Sequence, residues 1–398
     1  MKKRISKSML QLSGPLTSLV PTVSFIVGIV GLVLSFIFFR KDHHHFMYSY
    51  MVAFSFFMTL TLGNLFFVLI QHLTRAGWSV VVRRLPEVIM KNMFLMAIFF
   101  IPILFGIHDL YHWSHQDAVL ADELLQGKAP YLNTPFFIVR GFLFFAVWIW
   151  LVNKFYNSSV LQDKTGDSSI TLYLQKTATY GMLIFALSQT FALIDWIMSI
   201  TPHWYSTIFG IYMFAGSIVV ALAVMSLLFM ILRANGFLKG IVTTEHFHDI
   251  GKLLYGFNVF WSYIAFSQYF LIWYANIPEE TVWYAEHFNG SWNTVAIILA
   301  IGHFGVPFVL FMSRHAKRNL KFHAIMAVWL ILMHALDLYW LVMPNINKLG
   351  IHLTFADIVP FLGIGGIYFG FVFLRLSTVS LIPHKDPRLD ESLNFHNY

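Results

Sequence analysis

SQTFALIDWIMSITP, residues Ser188 to Pro202, sets a carboxylate, Asp195, inside a run that otherwise reads as lipid-buried helix. A near copy, LMHALDLYWLVMP, follows at Leu332 to Pro344, and Asp337 stands seven residues before its proline just as Asp195 does. An ionisable group at bilayer depth costs ~2.5–3.5 kcal/mol on insertion scales, so such groups mark a partner or a pathway. Two at one spacing point to a duplicated site.

The rest of the chain agrees with a membrane reading. Of 398 residues, 58% are hydrophobic and only 11% charged, which excludes a water-soluble domain. With no cysteine, disulfides, thiolate zinc sites, cysteine nucleophiles and resident iron–sulfur clusters are excluded. Apolar runs of about 20 residues predict ten transmembrane helices, at roughly 17–39, 46–71, 90–107, 136–155, 173–200, 205–232, 252–275, 290–312, 321–343 and 353–375. The basic start, Lys2, Lys3, Arg4 and Lys7, leads into a run too long for a signal peptide and lacking an Ala-x-Ala exit.

Those ten helices sort the basic residues. Of the 26 lysines and arginines, all but Arg40, Lys41, Lys128, Lys348 and the intrahelical Arg140 fall on one side. By the positive-inside rule that side is cytoplasmic and holds both termini. The net charge of +7 thus reflects topology and calls for no nucleic-acid partner. YMVAFS from Tyr50 and YMFAGS from Tyr212 set helices two to five against helices six to nine. An offset of four helices preserves orientation, so this reads as a parallel repeat of two four-helix bundles flanked by helices one and ten. The expected divisions are 1–45, 46–204, 205–345 and 346–398, within an all-α polytopic membrane protein.

Candidate chemistry lies in the helices and three loops. His323, His334 and Asp337 share a face of helix nine, His334 about 16 Å beyond His323 and Asp337 about 4.5 Å further. Ser188 and Asp195 form a shorter version on helix five, with Asn258, Ser262 and Gln268 as neighbours from helix seven, and bound water must bridge such gaps. Arg140 and Asp195 fall within ion-pair reach in depth, and the alternative is a snorkelling Arg140 beside a neutral Asp195. His303 and His334 are the one histidine pair at matching depth for a b-type haem. The outer loop from Ile107 to Pro135 begins HDLYHWSHQD, placing His108, His112 and His115 on one face if helical. A metal there is opposed by the lack of an HExxH pattern and by the interfacial Tyr111 and Trp113. His43 to His45 read as solvated loop. QHLTRAGWSVVVRRLPE, Gln71 to Glu87, reads as an interfacial amphipathic helix, with Val80, Val81, Val82 and Leu85 facing lipid and Arg83 and Arg84 meeting headgroups or a partner's acidic surface. TTEHFHDIGK gathers Glu245, His246, His248 and Asp249 at the cytoplasmic mouth, where with His72 they are candidate proton collectors; the alternative is an ordinary polar connection.

LTRAGWSVVVRR after helix two, the paired DWIMSITPHWYS and ALDLYWLVMP segments and the layout of two bundles resemble the F-type membrane subunit of bacterial alternative complex III, of the polysulfide-reductase-membrane-subunit-like family. The resemblance runs over nearly the whole chain, although ten hydrophobic helices alone would match many families. It implies a haem-free subunit of a quinol:cytochrome c oxidoreductase in the bacterial inner membrane, with no cofactor of its own. The implied partners are a homologous quinol-binding membrane subunit, an iron–sulfur subunit and c-type cytochromes. Quinol chemistry then belongs to the sister subunit, which leaves proton conduction or scaffolding for this chain. The residues themselves leave open a b-type cytochrome and a secondary transporter, the latter on the weak likeness of Gly363 to Gly366 and Pro307 to broken-helix signals. The proton-transfer candidates are Asp195, Asp337, His334, His323, His303, Arg140 and Ser188.

Overall fold

Apolar runs in lipid must satisfy their own backbone groups, and helices do so within one segment. In the computed structural model, which describes residues 7–397, every regular element is a helix and no strand occurs among the described residues. The basic residues Lys2, Lys3 and Arg4 lie outside the described residues. Nine helices in the described residues are long and apolar enough to cross a membrane: α1 Gly14–Lys41, α2 His43–Leu73, α3 Gly77–Phe105, α4 Thr134–Thr165, α5 Ser169–Ile200, α6 Phe209–Ala234, α8 Trp292–Leu310, α9 Leu320–Asn345 and α10 Phe355–Leu376. Between α6 and α8 runs a further long helix, α7 Thr244–Ala275, whose middle carries Asn258, Ser262, Ser267 and Gln268 and is correspondingly less apolar.

The helices apolar all round take the centre, as burial demands. α2 and α6, the two that carry the matching YM-x-A-x-S runs, are the most buried and pack on each other. Gly63 of α2 makes that crossing close: a Cβ there would meet the Ser217 carbonyl of α6. α5 and α9, which bear Asp195 and Asp337, each pack against both α2 and α6. At the periphery α10 lies against α2, and α1 lies against α10. The α1–α10 contact is made by Gly28 and Gly31 against Gly363 and Gly366; a Cβ would collide with the facing backbone at Gly28, Gly31 and Gly366 and fit only tightly at Gly363. Those glycines serve helix packing, and α10 runs unbroken through them; the broken-helix reading of Gly363 to Gly366 is overturned.

Polar contacts sort the helix ends into two groups. At one end His45 donates to Asp357 at 3.2 Å, Lys128 to the Pro202 carbonyl at 2.6 Å, and Thr201 to Asn345 at 2.6 Å. His45 is therefore buried inside the first turns of α2 rather than in a solvated loop, because the Asp357 carboxylate opening α10 supplies its partner. At the other end residues 377–397 fold back as a strap. Its Ser392 hydroxyl donates to the Trp78 carbonyl at 2.6 Å, and Asn397 contacts Glu245 on α7.

That strap corrects the reading of Gln71 to Glu87. Val80, Val81, Val82 and Leu85 are buried, and Arg83 and Arg84 are only 3% and 0% exposed. The two cations meet no headgroup. Arg83 pairs with Glu87 at 3.2 Å and with Asp386 of the strap at 2.5 Å; Arg84 pairs with Glu87 at 3.0 Å and with Asp163 at the end of α4 at 2.5 Å. An amphipathic pattern identifies a helix with two different faces, and here the polar face is covered by carboxylates from distant parts of the chain.

Candidate functional site

Asp195 and Asp337 are both buried. In the first bundle Arg140 Nε donates to Asp195 Oδ2 at 2.6 Å, and Arg140 Nη1 to the Tyr131 carbonyl at 2.8 Å. The guanidinium lies 3.9 Å from the Tyr131 ring centroid and 4.4 Å from that of Phe136, a placement favourable to a cation. The ion pair is present; a snorkelling Arg140 is not. Behind it the next residue, Trp196, fills the bundle, stacked on Phe145 at 5.5 Å and against Phe100 at 4.8 Å and Trp148 at 5.8 Å. Ser188 accepts from Trp148 Nε1 at 2.8 Å and is taken up by that packing.

In the second bundle the aspartate borders open space. A cavity of about 730 Å³ is bordered by α6, α7, α8 and α9, with Asp337, Tyr212, Trp261, Gln268 and Tyr284 among its walls. Tyr263, Phe266 and Ile297 at its rim are exposed on the outside of the bundle. Asp337 accepts a short hydrogen bond from the Tyr212 hydroxyl, and no cation pairs with it among the described residues. Gln268 accepts from Ser206 at 2.8 Å and donates to the Tyr284 hydroxyl at 3.1 Å, so its amide is held across the cavity edge.

Chain chemistry also explains the wall formed by α8. Pro307 has no N–H and crowds the carbonyl four residues back, which is that of His303. The segment before it, Leu299–Gly305, is π-helical, a distortion common at functional sites. The freed carbonyls are capped from neighbours: Asn258 Nδ2 donates to His303 at 2.8 Å and Trp329 Nε1 to Gly302 at 2.7 Å. His303 itself is fully buried with its ring 3.7 Å from Trp261, and neither ring nitrogen has a hydrogen-bond partner among the described residues. Ser262 serves its own helix, donating to the Asn258 carbonyl at 2.9 Å.

The α9 row keeps the predicted common face, since His323, His334 and Asp337 are all buried. Its members do not bond one another. His334 Nε2 lies 3.0 Å from Thr59 Oγ1 on α2 while its Nδ1 has no hydrogen-bond partner among the described residues; His323 Nε2 lies 3.0 Å from Ser226 on α6, and its Nδ1 donates to the Lys317 carbonyl at 3.2 Å. Water-sized gaps beside unsatisfied buried nitrogens are where ordered water is held.

The five candidate proton collectors separate. Glu245 is held by Arg318 through contacts of 2.5 and 2.7 Å, and that guanidinium pulls its carboxyl down to about 2. His246 completes a capping box with Thr243 and reaches the Ser392 carbonyl at 3.1 Å. Asp249 pairs with Lys252, and both border a second cavity of about 400 Å³ with Gln71, Trp78 and Phe257. His248 sits 3.9 Å from Asp249. His72 is not with them: its buried ring packs on Phe155 of α4.

Outside these regions, the segment with His108, His112 and His115 is not one helix. It turns at Tyr111 between the short helices Ile107–Leu110 and His112–Ser114 because Tyr111 and Trp113 bury their rings inward and bond Trp196 and Ser199. His108 and His115 stay together, His115 Nε2 donating to the His108 carbonyl at 2.8 Å. Among the described residues no group of three or more His, Asp or Glu side chains is placed to hold a metal ion. Tyr212, Thr59 and Ser226 were not read as site residues from sequence. For Tyr212 the signal existed, in the YMFAGS run that marks the repeat. Comparison with known proteins adds no name, since no family model matches the chain and no curated protein matches it significantly.

Proposed function

We propose that this chain is a ten-span membrane subunit of a bacterial quinol:cytochrome c oxidoreductase of the alternative complex III type, and that its second bundle carries protons. The observation that supports this most directly is Asp337: buried, unpaired with any cation among the described residues, bonded to Tyr212 and facing a cavity. A carboxylate neutralised by no cation takes up and releases a proton without breaking an ion pair. From it the carriers continue along α9 through His334 and Thr59 toward His323, Ser226 and Lys317, with water bridging the gaps. The termini are assigned to the cytoplasm by the charge distribution, and the two bundles are treated as a parallel repeat centred on the α2–α6 contact. The partners are a quinol-binding membrane subunit, an iron–sulfur subunit and c-type cytochromes; this chain holds no redox group.

The test is Asp337→Asn in the reconstituted complex. Assembly and quinol oxidation are expected to persist while protons released per electron fall. An unchanged ratio in both Asp337→Asn and Asp195→Asn would leave the chain a scaffold. A second reading, a secondary transporter, is favoured by the π-helical break before Pro307 lining a cavity, since interrupted helices build transporter sites. Co-purification with cytochromes separates the two.

A further inference from the structure

Where α3 bends, between its segments Val80–Met90 and Met93–Phe105, it carries Lys91, and the last turn of α10 brings Arg375 to the same bend. Both side chains are half-buried and both are held in place by neutral groups only. Lys91 donates to Asn153 and lies 5.2 Å from the Tyr156 ring centroid; Arg375 Nη1 donates to Asn92 Oδ1 at 2.9 Å and to the Val88 carbonyl at 3.3 Å. Arg375 thus reaches the very turn of α3 on which Lys91 stands, between Val88 and Asn92. Among the described residues neither has a carboxylate partner, whereas Arg83, Arg84 and Arg318 each hold one. Holding two like charges together away from bulk water is unfavourable unless an anion joins them.

The surface around the pair says which anion. One and two turns along α3 from Lys91, Phe94 and Ile98 are exposed, and one turn back along α10 from Arg375 so is Phe371, with Leu374 beside it. These side chains continue the same faces into the hydrocarbon layer, so a polar group at the cations would trail apolar chains over them. We propose that Lys91 and Arg375 bind the phosphate of an anionic phospholipid, whose acyl chains lie on Phe94, Ile98 and Phe371. Basic pockets between transmembrane helices at the headgroup level recognise lipid in this way. The neutral anchors Asn153 and Asn92 position the two cations without cancelling them, as a binding site for an external anion requires.

The experiment uses the full chain purified in detergent, exchanged into a phosphatidylethanolamine background with added phosphatidylglycerol, and weighed intact by native mass spectrometry. One phosphatidylglycerol should stay bound in preference to phosphatidylethanolamine, and excess inorganic phosphate should leave it in place. At about fivefold per cation near the headgroup layer, Lys91→Gln with Arg375→Gln should lower its retention on the order of twentyfold. The charge-preserving pair, Lys91→Arg with Arg375→Lys, should retain it and controls for folding. No preference for phosphatidylglycerol in the unaltered chain, or equal retention after charge removal, would overturn the proposal. Displacement by inorganic phosphate would overturn it too, by showing a site for the free anion.

Discussion

Asp195 and Asp337 stand at matching places on α5 and α9, and the chain surrounds them in opposite ways. Asp195 is clamped by Arg140 beneath a plug of rings led by Trp196. Asp337 accepts from the Tyr212 hydroxyl and borders an open cavity, with no cation paired to it among the described residues. Tyr50, which opens the similar YMVAFS run, donates instead to the Phe99 carbonyl at 2.7 Å. Two buried carboxylates with different partners can make one a fixed support and leave the other to titrate.

The largest effect expected from that contrast is on stability in the first bundle. Asp195→Asn or Arg140→Gln alone removes one member of a buried pair and should cost about 3–5 kcal/mol, whereas the double change should cost much less. Thermal unfolding of the three variants in detergent checks this, and a double variant as damaged as the sum of the singles would mean that the pair contributes nothing as a pair. Next comes the second bundle. Tyr212→Phe leaves a buried carboxylate without its donor and should cost about 1–3 kcal/mol, while Asp337→Asn, which keeps a hydrogen-bonding group and introduces no orphaned cation, should cost less than Asp195→Asn. If the two asparagine variants are equally destabilised, the difference in partners does not matter. Asn258→Leu strips the cap from the His303 carbonyl and should lose a similar ~1–3 kcal/mol, without touching the first bundle.

Sequence made the helical membrane class, the buried face of α9 and the Arg140–Asp195 pair legible, because each depends on periodicity and depth along single helices. Contacts made at long range were hidden. Nothing near Arg83 and Arg84 in the chain announces Asp386 or Asp163, so their helix looked interfacial when it is interior. His45 was hidden by Asp357 in the same way. The cavity is bordered by residues from four helices, Tyr212, Trp261, Ala296 and Asp337 among them, and such a space acquires meaning only when the helices are packed.

The smallest effect belongs to the strap and sharpens the comparison from outside both bundles. Glu245 has its carboxyl held down to about 2 by Arg318. A depressed acid stabilises the fold above its ordinary unfolded value, near 4.5, and the contribution is lost as pH falls from there through about 2. Limited proteolysis of residues 377–397 should therefore speed up over that acid range, and Glu245→Gln should flatten the dependence. A slope unchanged by the substitution would assign the acid sensitivity to other carboxylates.

The same strap puts a clock on synthesis. Asp386 lies 303 residues beyond Arg83, and at about 5–20 residues per second its arrival trails by on the order of 15–60 s. Through that interval Arg83 has Glu87 on its own helix and lacks its second counter-charge. A cation buried in the third helix is thus completed only after the tenth has been made, so a ribosome that stops before Asp386 releases a chain in which Arg83 still lacks that partner.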